Sequence, residues 1–155
     1  MPIERLRTAL LAQLGQEVHV SDWLVITQQR IDAFAATTGD HQWIHTDPER
    51  ARRESPWRRT IAHGYLTLSL QPLLRGFADG DRPPYEGVRS AINYGLNRLR
   101  FTNAVREGAR LRGRSRLLAV EDFRGGLQLT EEFTAELEGE KKPACVAEVL
   151  IRLYF

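Results

Sequence analysis

From Gly64 to Phe77 the chain carries Tyr65, Leu66, Leu68, Leu70, Leu73 and Leu74 ahead of Phe77, interrupted by Thr67, Ser69, Gln71, Pro72 and Arg75. A helix this apolar on nearly every side belongs in a core, with other elements packed around it. The run exceeds the usual strand length of about 4–8 residues, and leucine dominates over valine and isoleucine, so the pattern predicts a helix over residues 63–78. Such a helix is roughly 24 Å long, about the width of a small domain. Pro72 lacks an N–H and crowds the preceding turn, so a bend or an early end is expected there. The first turn presents unpaired N–H groups. Gly64, with no side chain, lets a ligand atom approach that backbone closely.

The second half of the chain supplies the packing partners. Val88–Tyr94, Arg98–Phe101, Ala109–Val120, Gln128–Leu137 and Cys145–Phe155 are strand-like, with turn-forming joints between them. Arg112, Arg114 and Arg116 alternate with smaller or apolar residues and mark an outer face. Ahead of the central helix, Ile3, Leu6, Leu10 and Leu14 give an amphipathic N-terminal helix within residues 1–14, stopped by Gly15. Thr27 is suited to cap a helix over residues 28–37 that Gly39 ends. A Gly-, Pro- and Asp-rich stretch over residues 76–87 reads as a loop. One apolar helix with a set of antiparallel strands is an α+β layer architecture, and one domain over residues 1–155 is the expectation for this length.

Residues 38–64 hold three of the four histidines, and a Gly-Asp pair sits beside one of them. Asp40 and His45, five positions apart, have the chemistry of a general acid/base pair near neutral pH. The same residues also read as ordinary punctuation. Gly39-Asp40 suits a helix C-cap, and Asp47-Pro48-Glu49 suits a helix start. Spacing leaves both readings open.

Gly39-Asp40-His41-Gln42-Trp43-Ile44-His45-Thr46-Asp47-Pro48, followed by Ile61-Ala62-His63-Gly64, resembles the signature of the MaoC-like hydratases, and most of all their nodulation protein N-like branch. Tyr94-Gly95-Leu96-Asn97-Arg98-Leu99-Arg100-Phe101 is a second matching stretch. The resemblance runs from about Gly15 onward. In most relatives the loop has Asn-Pro where this chain has Gln42-Trp43. The resemblance implies a hot-dog fold, a curved antiparallel sheet wrapped around a long central helix. It implies (R)-specific hydration of a trans-2-enoyl thioester, or the reverse dehydration. Asp40 and His45 would hold and activate water, and Gly64 would offer its backbone N–H to the thioester carbonyl. Trp43, His63, Tyr65, Asn97 and Arg98 become candidates for the substrate pocket, although Asn97 and Arg98 equally suit a strand bulge with an exposed arginine. Some relatives use a serine late in the central helix; this chain has Pro72 there, so that role is not transferred. A homodimer with its pocket at the subunit interface is also implied, as is an acyl-CoA or acyl carrier protein thioester as partner. The alternatives are a thioesterase on the same fold and a non-catalytic acyl-thioester binding module. A bell-shaped pH profile, with one limb from the carboxylate and one from the imidazole, is expected.

Composition narrows the remaining classes. A net charge of +2 with 42% hydrophobic and 27% charged residues is ordinary for a globular protein. Arg50, Arg52, Arg53, Arg58 and Arg59 cluster around Pro56-Trp57, either as a solvated face or as a site for the carrier's phosphates. No nucleic-acid motif accompanies them, so no nucleic-acid partner is expected. Cys145 is the single cysteine, which excludes an intrachain disulfide and a multi-cysteine zinc site. His41 and His63 can be imagined with Asp40 and His45 around a metal, but the helical His-x-x-x-His pattern is missing, so neither metal nor cofactor is expected. No run of about 18 apolar residues and no signal-like N-terminus is present, and a cytoplasmic protein without a membrane partner is the expectation.

Overall fold

The computed structural model of the chain describes residues 2–155. Its elements are α1 (Pro2–Leu11), β1 (Glu17–Val20), β2 (Leu24–Val25), α2 (Gln28–Thr38), α3 (Trp43–Thr46), α4 (Pro48–Glu54), α5 (Gly64–Ser69), α6 (Gln71–Arg75), β3 (Ser90–Phe101), β4 (Arg110–Phe123), β5 (Gly126–Leu137) and β6 (Cys145–Tyr154). All strands are antiparallel and form one sheet in the order β1-β4-β5-β6-β3, with β2 also paired to β4.

The apolar run forms two short helices rather than one. Leu70 breaks the run with a backbone of φ −78° and ψ −7°, and Pro72 sits in the first turn of α6. The missing N–H of Pro72 therefore falls where a helix start has no partner to lose. Gly76, at φ 79°, ends α6 in the left-handed conformation. Leu66, Leu70 and Leu74 are buried against Leu111, Leu117, Leu129, Phe133 and Ile151 of the sheet. α6 lies against β4 because Gly113 leaves a notch there: a Cβ at this position would stand 2.7 Å from Leu74 Cβ and 3.0 Å from the Phe133 ring. Burial on every side does not hold in the single protomer. Tyr65 is 68% exposed and Leu73 49% exposed, because the sheet covers one side of the helical run and is not closed around the other.

β3 is one strand where the residue pattern suggests two. Its register against β6 slips between Asn93 and Gly95 and again between Leu96 and Arg98, so Tyr94 and Asn97 are accommodated as bulges without ending the pairing. β3 is an edge strand, and it exposes Ile92, Tyr94, Leu96 and Phe101. On the outer face of β4 the arginines meet carboxylates: Arg112–Glu136 at 2.8 Å, Arg114–Glu17 at 2.9 Å and Arg116–Glu132 at 2.9 Å. Burial pushes the free Cys145 thiol up to about 11, so it stays protonated at neutral pH. Among the described residues no helix is long and apolar enough to cross a membrane.

Candidate active site

Two well-capped helices set the stage for residues 39–47. Thr27 caps α2 by accepting from the Arg30 N–H, and Gly39 ends it at φ 79° with its own N–H on the Ala35 carbonyl. Asp47 caps α4 by accepting from the Arg50 N–H at 2.9 Å. Between them the single turn of α3 carries His45 inward. Both punctuation readings of the sequence hold, and the two caps fix the ends of the loop that carries Asp40 and His45.

His45 is 6% exposed and its ring is fixed. Its Nδ1–H donates to the Ile61 carbonyl at 2.6 Å, which leaves Nε2 as the lone-pair nitrogen. Gln28 braces the same turn: its Nε2 donates to the His45 carbonyl at 2.7 Å while its Oε1 accepts from the Thr60 hydroxyl. His63, 3% exposed and just ahead of α5, donates from Nε2 to the Asp40 carbonyl at 2.9 Å. Its ring stacks on His45 with centroids 3.8 Å apart. One ligand atom each from Asp40, His45 and His63 lie within 4.8 Å of one another. That trio has the composition of a small cation site as well as of an acid/base centre.

The electrostatics favour two unprotonated groups at neutral pH. Burial is the main cause that holds His45 below its ordinary 6.5, and neighbouring His63 adds to it, against the opposing pull of the Ile61 bond and Asp40. For Asp40, desolvation is the largest single influence and raises the carboxyl, but hydrogen bonds from the Gln42 backbone and side-chain amides and the two nearby imidazoles together outweigh it. Asp40 is therefore ionised and His45 neutral.

Gly64 is the first residue of α5. The first hydrogen bonds of that turn come from the Leu66 and Thr67 N–H groups to the His63 carbonyl, so the Gly64 N–H precedes the ladder. A Cβ at Gly64 would stand 2.7 Å from the Phe101 ring, so glycine is required here by close approach. Gly64, Thr67, Trp57, Phe101, Thr102 and Val105 are among the residues lining a cleft of about 460 Å³.

The remaining candidates fall in different places. Tyr65 packs edge-on against Phe101, with centroids 5.7 Å apart, on the open side of α5. Trp43 is half-buried beneath the Arg50 guanidinium at 4.4 Å. Asn97 donates to Glu148 Oε1 at 2.7 Å across the β3–β6 ladder, and Arg98 lies in a groove with Glu148 and Glu132. Their contacts are with the ladder rather than with the Asp40–His45 loop. Residue patterns missed Gln28, Thr60 and Phe101. Gln28 lies 17 positions from His45 and 32 from Thr60, and no local spacing announces such a brace.

Known proteins place this chain in a family. The chain matches the MaoC like domain over residues 10–136. It is 49% identical over 144 residues to 3-hydroxyacyl-thioester dehydratase Z of Mycobacterium tuberculosis, covering 92% of each protein. It is 43% identical over 146 residues to nodulation protein N of Rhizobium leguminosarum bv. viciae, covering 93% of this chain and 88% of that one. The unliganded R-hydratase of Pseudomonas aeruginosa superposes with a TM-score of 0.71 at 23% identity, covering 91% of this chain and 81% of that one. The (R)-hydratase of A. caviae gives 0.71 at 24% identity, with 90% and 96% covered. These two likenesses establish the hot-dog fold, here with an unclosed sheet around a helix split at Leu70. The chain belongs to the MaoC-like family.

Proposed function

We propose that this protein adds water to trans-2-enoyl thioesters, or removes it from (R)-3-hydroxyacyl thioesters in the reverse direction. The observation that carries the reading is the fixed His45 tautomer. A buried, neutral imidazole keeps its Nε2 lone pair unspent, and one of its ring nitrogens lies within 4.8 Å of the ionised Asp40 carboxylate. The (R) hand and the thioester substrate come from the family resemblance and from the dehydratase that is 49% identical.

In the hydration direction, Asp40 accepts one hydrogen of a water molecule and orients it. The water oxygen bonds to the β-carbon as His45 Nε2 takes its proton, and the π electrons move onto the thioester oxygen as an enolate. The Gly64 N–H donates to that oxygen. The imidazolium then returns its proton to the α-carbon on the same face, so the product gains one OH and one H and the enzyme is restored. Loss of one donor to such an oxyanion costs about 2.7–4 kcal/mol of barrier. The mechanism needs neither metal nor redox cofactor. Of the other candidates, Trp43, His63 and Tyr65 would shape the pocket around this centre. Asn97 and Arg98 would reach it from the partner of a homodimer, whose formation would cover the apolar residues exposed on β3. The carrier is CoA or acyl carrier protein, with the arginines of residues 50–59 near its phosphates. A cytoplasmic location fits thioester carriers of this kind.

The test is loss of the enoyl-thioester ultraviolet absorbance with crotonyl-CoA and a longer trans-2-enoyl-CoA, with wild type and Asp40→Asn side by side. Loss with wild type and a drop of about 10²–10⁴-fold in the variant is expected. Free thiol release instead would make the protein a thioesterase, and tight binding with neither signal would make it a binding module.

A further inference from the structure

His63 stands immediately ahead of α5, where a serine, threonine, aspartate or asparagine would cap the first turn. Its side chain makes no such cap. The ring is buried between two others: Phe34 of α2, with centroids 5.0 Å apart, and His45, with centroids 3.8 Å apart. Its Nε2–H donates to the Asp40 carbonyl at 2.9 Å, which makes Nδ1 the acceptor of the neutral ring. That atom is buried without a partner among the described residues. The position thus forgoes a cap and carries an unsatisfied acceptor. Local costs of this kind gather where a residue serves the chemistry rather than the fold.

What the bond holds is Asp40. Within its own loop the Asp40 hydrogen bonds are long: its N–H to Thr38 Oγ1 at 3.5 Å, and the Gln42 N–H to its Oδ1 at 3.4 Å. Among the described residues, the His63 bond is the one hydrogen bond that ties Asp40 to an element beyond that loop. His63 is itself firmly seated. The Ala62 N–H before it donates to the Val105 carbonyl at 2.7 Å, and its own carbonyl accepts from the Leu66 and Thr67 N–H groups. The next residue is Gly64, whose N–H is the donor assigned to the thioester oxygen. One side chain thus joins the carboxylate, the imidazole and the oxyanion donor, which come from three separate segments. We propose that His63 is the positioning residue of this centre: it pins the Asp40 backbone and backs the His45 ring, so that both stay in register with the Gly64 N–H. It acts on the substrate through those groups. The proposal rests on the hydratase reading and adds to it the residue that sets the geometry.

The experiment compares steady-state hydration of crotonyl-CoA by wild type, His63→Phe and His63→Gln across a range of pH. Phenylalanine keeps a flat ring against His45 and Phe34 but has no donor. Glutamine keeps an N–H near the place of Nε2 but has no ring. His63→Phe is expected to lower kcat by about 10²-fold with KM within about twofold, because a misplacement of about 1 Å costs that much. His63→Gln is expected to restore kcat to within about tenfold of wild type, since the donor is kept. Burial is the main cause that holds His45 low and His63 adds to it, so the acid limb of kcat/KM is expected to move to higher pH in both variants. Wild-type kcat in His63→Phe would overturn the proposal, as would a loss confined to KM, equal losses in the two variants, or an acid limb that stays in place. If His63→Phe fails to fold, His63→Gln decides alone by the same kcat and the same shift of its limb. Wild type inactive on crotonyl-CoA and on a longer trans-2-enoyl-CoA would overturn the hydratase reading itself and the proposal with it; with wild type active, the variants test the positioning role alone.

Discussion

The helical run α5–α6 has a buried polar cluster at each end, and the two are built on opposite plans. At the far end, Arg75 donates from Nε and Nη2 to both oxygens of Glu131, at 2.7 and 2.8 Å, and from Nη2 to the Tyr85 hydroxyl at 3.1 Å. The guanidinium also lies 4.3 Å over the Phe77 ring. Burial works against the Arg75 charge, but its bonds to Glu131 outweigh it and raise its pKa further. Its Nε and Nη2 donors are both taken up by protein groups. At the near end the hydrogen bonds go to the backbone instead, and His45 Nε2 is the nitrogen left over. The His63 Nδ1 is buried with no partner among the described residues. A cluster whose charges answer one another holds the fold, and a cluster that spends its bonds on carbonyls keeps lone pairs for something that arrives later.

This contrast predicts separable losses. His45→Ala is expected to lower kcat/KM for crotonyl-CoA by about 10²–10⁴-fold with little change in Tm, read by absorbance and calorimetry. A large Tm loss instead would make the near cluster structural too. Glu131→Gln is expected to remove about 3–5 kcal/mol of stability while sparing the rate per folded molecule, because it strands a buried guanidinium. The double change Arg75→Met with Glu131→Leu should recover much of that loss, since an apolar pair of similar volume is often as stable. Denaturant titration of both variants checks it.

The third effect is on pH dependence. His45 must be neutral to take the water proton, and its pKa lies below 6.5. Below that pKa, log kcat/KM should fall by about one per pH unit, and Asp40 should contribute only at still lower pH because its pKa is also depressed. Both limbs expected from the sequence therefore fall on the acid side, and the plateau above 6.5 should be flat with respect to this pair. An activity that rises on acidification through this range would reverse the assignment of His45 as base. The smallest effect is on the outer face, where Arg116→Ala should cost no more than about 1 kcal/mol, because Arg116 is half in solvent and Glu132 39% exposed.

The near cluster was legible in the sequence and the far one was not, and the reason is distance along the chain. Asp40, His45 and the His63-Gly64 pair belong to short motifs whose geometry is made by caps and turns a few residues away. Arg75 and Glu131 stand 56 positions apart, and their meeting depends on the register of β5 beneath α6. Arg75 reads locally as an ordinary basic residue in the last turn of a helix. The residue pattern divides β3 at residues 95–97, yet the strand runs through them with bulges, for the same reason: the pairing that absorbs them comes from β6. The exposure of Tyr65 and Leu73 escaped the periodicity because an apolar pattern records which residues avoid water, not which neighbour covers them.

The pairing of β3 also has a consequence for how the chain is made. Among the described residues β3 pairs with β6 alone, and β6 lies far downstream in the sequence, with Ser90 opposite Tyr154 and Phe101 opposite Cys145. A ribosome adding about 5–20 residues per second exposes β3 several seconds before its partner strand exists. During that interval a twelve-residue strand with several apolar side chains waits with both edges open. Synthesis therefore leaves the apolar side chains of β3 without a sheet to join until β6 emerges.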